Sequence, residues 1–494
     1  MAILRNGTVA PEVRAAPWGG GFPPVLVGIL VAALLVRLPL LSVFPDVQAD
    51  EGLWTTSTKN FLLFGDWFMD GRNHLFLSPV FHILSIPSFL LLGPSIEAAR
   101  LVSALAGVVT VGLMYILGVR LTGERAVGLV AAALMAVDPW AVIHSRQALT
   151  ESVLLLFIVA AAIPLLGGRR PLVWAGALFA LAILTKLNAA AMGLALGGYL
   201  LLRAPPDGSP ASWRGRFTDG GIFGVTALGM AALGYFLISL VEPERFLQAF
   251  TLELGGEHLV LEGEAPPPSG RWGLDPVLAG RSALEVLRSY PFLVTLGLLG
   301  TALSWALRSP GRLLLLLWVG VGLGFPLTQV YQPIRYFYPA APALALAAAI
   351  LLVRLGEIPG VGAGGREMRG GGRRAVLLGL MLVLGFNTAY LGMSLVANRG
   401  ERVQVVEAWV RENTSPDERI LAASFLATNP PNPIYGYYYL APRPEDVPEA
   451  VARTGVRYVI WDDAEWSPEA RVVLDRHYHL VHQWSFGAVY RTVP

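Results

Sequence analysis

Val47-Gln48-Ala49-Asp50-Glu51-Gly52-Leu53-Trp54 follows directly on the first long apolar stretch of the chain, residues 24–44. Ionised carboxylates prefer bulk water, and burying one costs several kcal/mol unless it is paired or ligated. Two of them side by side at the exit of an apolar segment, ahead of an amphipathic run over 53–67, read as the mouth of a site embedded in a membrane. In such a cleft, partly shielded from water, a carboxylate can accept a proton from a hydroxyl. The stretch 24–44 is longer than the roughly 7–15-residue core of a signal peptide, so it reads as an uncleaved anchor.

The rest of the composition agrees with a membrane protein. Of 494 residues, 54% are hydrophobic and only 15% charged, and the apolar residues come in runs long enough to cross a bilayer. A net charge of +2 gives no electrostatic case for nucleic acid as a partner. There is no cysteine, which removes disulfides, thiolate chemistry and cysteine-based metal sites. Lys59 and Lys186 are the only lysines in an arginine-rich chain.

Eleven spanning helices are expected, at about 24–44, 99–119, 125–141, 151–167, 171–187, 189–203, 219–241, 289–307, 312–330, 336–354 and 375–397. The arginines of the short loops (Arg120, Arg125, Arg169, Arg170, Arg203, Arg214, Arg216, Arg308, Arg312, Arg354, Arg366, Arg369, Arg373, Arg374) then fall on one side. The positive-inside rule makes that side cytoplasmic, together with the tail 1–23. The opposite face collects a first outer loop, 45–98, a large loop, 242–288, and a domain over 399–494. The apolar run 79–92 holds two prolines and falls short of a span, so it reads as an interfacial or re-entrant helix of the first loop. Within 399–494 helices are expected at 401–413, 445–453 and 468–478. Strands are expected at 419–424 and 456–461, with a closing hairpin at 480–486 and 488–491. The predicted fold is a polytopic α-helical membrane protein with outer juxtamembrane helices and a small exported α/β domain.

Three further charged clusters share the face of Asp50-Glu51. The turn His144-Ser145-Arg146-Gln147-Ala148-Leu149-Thr150-Glu151 joins the third and fourth spans. Thr150 as a cap and Glu151 at a positive helix end explain part of it without chemistry. They leave unexplained why His, Arg and Glu gather there. Lys186, at the end of the fifth span, suits snorkelling to headgroups as well as ligand binding. Tyr331-Gln332-Pro333-Ile334-Arg335-Tyr336-Phe337-Tyr338-Pro339 combines a bidentate phosphate donor, Arg335, with tyrosines that also fit an aromatic belt. Four charged clusters on one face exceed what belts and caps require.

Three patterns are discounted. Gly360–Gly365 spells a dinucleotide fingerprint but lies in a basic loop with no preceding strand, and reads as a linker. His477 and His479 would share a strand face from which His482 points away, which disfavours a metal site. Asn413-Thr414-Ser415 is a sequon followed by Pro416 and carries little weight.

An Asp-Glu pair in the first outer loop, a His-Ser-Arg…Thr-Glu turn and an Arg335-Tyr336-x-x-Pro339 segment before a late span resemble one family. It is that of the C-type polytopic glycosyltransferases, in the branch of protein O-mannosyltransferases and lipid A aminoarabinose transferases. The similarity covers roughly 24–355, with a variable exported C-terminal domain as in that group. It implies a polyprenyl-phosphate-linked sugar donor and transfer of a hexose or pentose, outside the cytoplasm, to a protein, lipid or envelope glycan. By position, Asp50 resembles the acidic base, Glu151 the second acidic residue and Arg146 its basic companion. Arg335 and Lys186 become candidates for the donor phosphate, and His144, Tyr336 and Trp54 for sugar or acceptor. Glu51 and Glu151 either orient the acceptor or, with Asp50, hold a divalent cation (Mg or Mn); no cofactor is otherwise implied. The aminoarabinose branch has a Lys before a Pro-Pro pair where this chain has Leu77-Ser78-Pro79-Val80, which argues against that particular transfer. The rival class, a transporter or lipid flippase, is expected to show internal repeats and midplane charges. Neither is found.

Overall fold

The stretch 24–44 does not stay helical to its end. In the computed structural model, helix α1 (Pro24–Arg37) stops at an arginine buried among apolar neighbours. The Arg37 guanidinium donates to the carbonyls of Ala136 and Met135 at 2.6 and 2.8 Å. The unwound segment beyond it and the last turn of α1 carry carbonyls outside the regular helical ladder, and an apolar environment favours pairing them. Two arginines from elsewhere collect them. Arg146 takes Val36, Pro39, Leu40 and Phe44 at 2.7–3.1 Å. Arg100 takes Leu41 and Pro45 at 2.6 and 2.9 Å.

The structure describes residues 23–69, 74–167, 169–203, 212–255, 273, 275–307, 311–329, 332–357, 360–361, 367–368, 371–397, 401–422, 430–436, 441, 443–463 and 467–492. After α1 come α2 (Ala49–Phe64), the single turn α3 (His74–Leu77) and α4 (Pro79–Leu92). The bundle continues with α5 (Ile96–Thr122), α6 (Arg125–Val137), α7 (Pro139–Ser145), α8 (Glu151–Leu165), α9 (Arg169–Thr185), α10 (Met192–Leu202) and α11 (Trp213–Ser239). Next are α12 (Pro243–Gly255), α13 (Pro276–Ser289), α14 (Pro291–Ala306), α15 (Arg312–Gly324), α16 (Ala341–Glu357) and α17 (Gly371–Ala397).

Each of the eleven expected spans holds a helix. By length and composition, four stretches are sufficient to cross a membrane: α5, α11, Ile334–Glu357 and Gly379–Val396. Counting the bent pairs α6–α7 (57°) and α13–α14 (105°) as one span each gives six among the described residues. The others, such as α1 and α8, are apolar but shorter. Fifteen residues reach about 22 Å against a hydrocarbon core of about 30 Å. Prolines account for several of the breaks: Pro139 and Pro291 open the second member of each bent pair, and Pro326 opens a short 3₁₀ turn after α15.

One core runs through α1, α5, α6, α8–α10 and α14–α16. Small residues let these helices approach closely, as membrane packing favours. A Cβ on Gly118 of α5 would lie 2.8 Å from the Gly128 Cα of α6, and one on Gly300 of α14 would collide with the Ala347 carbonyl of α16. Helix α4 packs on α2, α5 and α9, burying Phe81, His82, Ser85 and Phe89 and turning Ile83, Leu90 and Leu91 outward. Of the loop 242–288, α12 and α13 are described, and residues 256–272 and 274 lie outside the described set.

The C-terminal domain has its own core under helices α18 (Glu401–Asn413), α19 (Val447–Thr454) and α20 (Pro468–His477). Counting the two-residue pair β1 (Gly360–Val361) and β2 (Glu367–Met368) in the glycine-rich linker, its strands are β3 (Ile420–Ala422), β4 (Ile434–Gly436), β5 (Tyr458–Asp462), β6 (His479–Trp484) and β7 (Gly487–Arg491). The sheet order is β4-β3-β5-β7-β6, with β3 parallel to both β4 and β5, and β7 antiparallel to β5 and β6. Strand β4 was not foreseen: its last two residues belong to a tyrosine-rich run, 435–439, of which 437–439 are outside the described residues. Gly362–Gly365 of the linker and Ser424 of the first expected strand are also outside that set.

The domain is seated on the first loop. Val47 and Met69 pack against its core. Lys59 of α2, fully buried, donates to the carbonyl of Asn432 at 2.9 Å. Asn432 in turn ties the α18–β3 turn through Ser415 and Glu418.

Candidate active site

Adjacent residues on a helix point about 100° apart, and α2 uses that angle to separate Asp50 from Glu51. Glu51 turns into the protein. Arg100 grips both of its oxygens at 2.7 Å, and the Ala148 and Gln48 amides donate to them at 2.7 and 3.1 Å. Both side chains are 0% exposed. Asp50 turns the other way, to the first-turn edge of the helix, where a carboxylate is favoured by the dipole. Its Oδ2 lies 2.5 Å from Arg335 Nη2, with the side chains 28% and 19% exposed.

Arg335 stands on the 3₁₀ segment Ile334–Ala340, ahead of α16. Its Nε also faces Glu151 Oε1 at 3.6 Å. Glu151 opens α8 and bonds Lys186 Nζ at 2.7 Å. Lys186 follows the last residue of α9 and sits over two rings, Tyr336 at 5.0 Å and Trp54 at 5.7 Å. Ser78, opposite, donates to the Thr185 carbonyl at 2.6 Å. Ser78 is thereby tied to the residue that precedes Lys186.

These groups head a cleft of about 430 Å³, its open mouth included. Glu151, Lys186, Arg335, Tyr336 and Asn188 form its polar end, and Leu154, Met192, Val321, Phe325, Pro326 and Pro339 are among its apolar walls. By chemistry an arginine can fork a phosphate, a lysine can neutralise one, and apolar walls suit hydrocarbon.

The folded chain brings together Asp50, Glu151, Lys186, Arg335, Tyr336 and Trp54. It does not bring Glu51 or Arg146 into the cluster, and His144 stands behind it, within electrostatic reach of Glu151, Arg335 and Lys186. Glu51 has both oxygens taken. Arg146 spends its donors on carbonyls at the end of α1 and after it. His144 is buried against the Tyr338 ring at 5.0 Å. A divalent cation shared by Asp50, Glu51 and Glu151 does not fit this arrangement, because Glu51 is saturated and the other two face cations. Among the described residues no three His, Asp or Glu groups converge as a metal site. His482 instead packs on Trp409 and Trp484. Sequence reading passed over Arg100 and the apolar wall. An arginine inside an apolar span was the available signal for the first.

Residues 78–210, which carry Glu151 and Lys186, match the family model of the dolichyl-phosphate-mannose-protein mannosyltransferases. Comparison with curated proteins gives no match. Among solved structures the chain is similar to ArnT from Cupriavidus metallidurans in the apo state, with a TM-score of 0.68 and 16% identity over 95% of this chain and 97% of that one. ArnT bound to undecaprenyl phosphate gives 0.64 at the same identity and coverage. The Archaeoglobus fulgidus oligosaccharyltransferase tethered to an acceptor peptide gives 0.55 and 14% identity over 95% and 74%. Identities this low speak for the fold. The fold is thus that of the ArnT structures, and residues 78–210 match the mannosyltransferase family model.

Proposed function

We propose that the chain moves a hexosyl or pentosyl unit from a polyprenyl-phosphate-linked donor to a hydroxyl-bearing acceptor at the outer face of the plasma membrane. The observation that carries this reading is the meeting of Asp50, Glu151, Arg335 and Lys186 at the head of an apolar cleft. The undecaprenyl phosphate bound by ArnT, which shares the fold, supports a lipid-linked donor. The acceptor peptide on the archaeal oligosaccharyltransferase supports a polymeric acceptor; protein, lipid and envelope glycan all remain within the class.

In this mechanism Asp50 takes the proton of the acceptor hydroxyl, and its oxygen attacks the anomeric carbon. The bond from that carbon to the phosphate oxygen breaks, and its electron pair leaves on polyprenyl phosphate against Arg335 and Lys186. Phosphate needs no acid to depart, so one base suffices and the configuration inverts. Positioning and charge stabilisation supply the acceleration. Glu151 aligns the two cations, while Tyr336 and Trp54 flank the sugar. With eleven spans counted from the apolar runs, the loop arginines support a cytoplasmic N-terminus and an exported domain 399–494. A transporter would have little use for a C-terminal domain seated on the helix that carries Asp50.

Purified protein supplied with a labelled polyprenyl-phosphate sugar and a membrane-extract acceptor fraction tests the reading. Wild type transfers label with inversion, and Asp50→Asn does not. Full activity of Asp50→Asn removes Asp50 as base, and movement of the lipid without transfer favours the carrier.

A further inference from the structure

Asp50 and Arg335 are given different tasks by the proposed reaction, yet they bond each other at 2.5 Å. An oxygen held by a guanidinium is not open to a hydroxyl proton, and a guanidinium spent on a carboxylate is not open to a phosphate. Within the cluster each cation already faces a carboxylate: Lys186 pairs with Glu151, and Arg335 with Asp50. A donor phosphodiester adds a negative charge, so it must draw a cation away from one of them.

The two pairs are not equally ready to give one up. Lys186 and Glu151 are 13% and 3% exposed, at 2.7 Å, and the ammonium lies over the Tyr336 and Trp54 rings. Breaking that pair leaves a charge buried, which is strongly unfavourable. Arg335 and Asp50 are the more exposed pair, and exposed pairs are weak. Asp50 keeps the favourable end of α2 when released. Arg335 lines the cleft and needs only to turn its fork from Asp50 to the phosphate.

We infer that the donor phosphate displaces Asp50 from Arg335, so that donor binding itself frees the base and the donor must bind before a productive acceptor. The inference rests on the donor reading of the cleft given under Proposed function. Without donor, Asp50 is locked. With donor, Arg335 holds the phosphate and Asp50 faces the acceptor. After transfer Asp50 carries the proton, no longer competes for Arg335, and polyprenyl phosphate keeps that cation until the proton leaves.

The test is the affinity of undecaprenyl phosphate for the purified full-length protein, measured on wild type, Asp50→Asn, Asp50→Ala, Arg335→Ala and the Asp50→Asn/Arg335→Ala double variant. Removing the competing carboxylate makes binding tighter, by roughly three- to five-fold for a partly exposed pair. That gain disappears in the Arg335→Ala background, as coupling through the shared guanidinium requires. Unchanged or weaker binding in both Asp50 variants, with wild type binding normally, overturns the exchange and leaves the donor site standing. The same outcome follows if the gain persists without Arg335. Failure of wild type to bind undecaprenyl phosphate at all takes down the donor reading and the exchange together.

Discussion

Two carboxylates, consecutive in sequence, meet arginines in opposite ways. Glu51 and Arg100 are 0% exposed, bonded through both oxygens, and completed by amides and carbonyls of three chain segments. Asp50 and Arg335 are a quarter to a fifth exposed at the edge of a cleft, with Glu151 and Lys186 beside them. A saturated buried pair has nothing left to offer a substrate. Its work is to fasten α2 to α5 and to the turn before α8. A pair at a cleft edge can trade partners, and that is what chemistry requires. Saturation, more than the presence of charge, distinguishes architecture from site here.

The largest effect expected from breaking this contrast is on the architectural side. Arg100→Met leaves the Glu51 charge buried without its partner, at about 3–5 kcal/mol of stability. Thermal melting of the purified protein checks it, and Arg100→Met/Glu51→Leu recovers most of the loss because both charges are then gone. A single variant that melts like wild type would show the pair to be no fastener.

Asp50→Asn acts the other way round. Transfer falls by about 10²-fold or more, the range of a lost general base, while melting stays near wild type. An equal loss of stability and turnover would erase the distinction between the two carboxylates. Lys186→Met comes next. It removes a charged hydrogen bond worth about 1.5–3 kcal/mol and weakens undecaprenyl phosphate binding by roughly ten-fold or more. Equilibrium binding of the lipid is the measurement, and unchanged affinity would confine Lys186 to holding Glu151.

The smallest effect concerns the other lysine. Lys59→Met keeps the stem of a buried side chain and drops its bond to Asn432, at about 1–2 kcal/mol. Hydrogen exchange should rise across the Asn432–Gly436 segment and the α18–β3 turn, with little change in α5. Exchange that rises equally throughout the bundle would mean that Lys59 supports the whole protein and not the seat of the domain.

Much of this was legible beforehand because the signals are local. The apolar runs, the charged clusters at their ends, the rarity of lysine and the buried-type strand expected at 456–461 all act over a few residues. Arg335, Lys186 and Glu151 stood out as charges at span ends, and they converge. Glu51 and Arg146 looked equally suitable and do not join them. Nothing near Glu51 announces Arg100, and nothing near Arg146 announces that the chain unwinds after Arg37 and leaves carbonyls to be claimed. Strand β4 escaped notice because three residues paired to β3 carry no pattern of their own.

By itself, then, the sequence determined a helical membrane protein, a separate C-terminal α/β domain and a short set of residues able to do phosphate and proton chemistry. Hydrophobic periodicity and charge placement are enough for that, since they reflect how each segment meets water or lipid. Only the tertiary structure decided which cation faces which carboxylate. Pairing depends on where helices distant in the chain come to rest. A rotation of about 100° between neighbours on α2 was enough to send Asp50 to Arg335 and Glu51 to the interior.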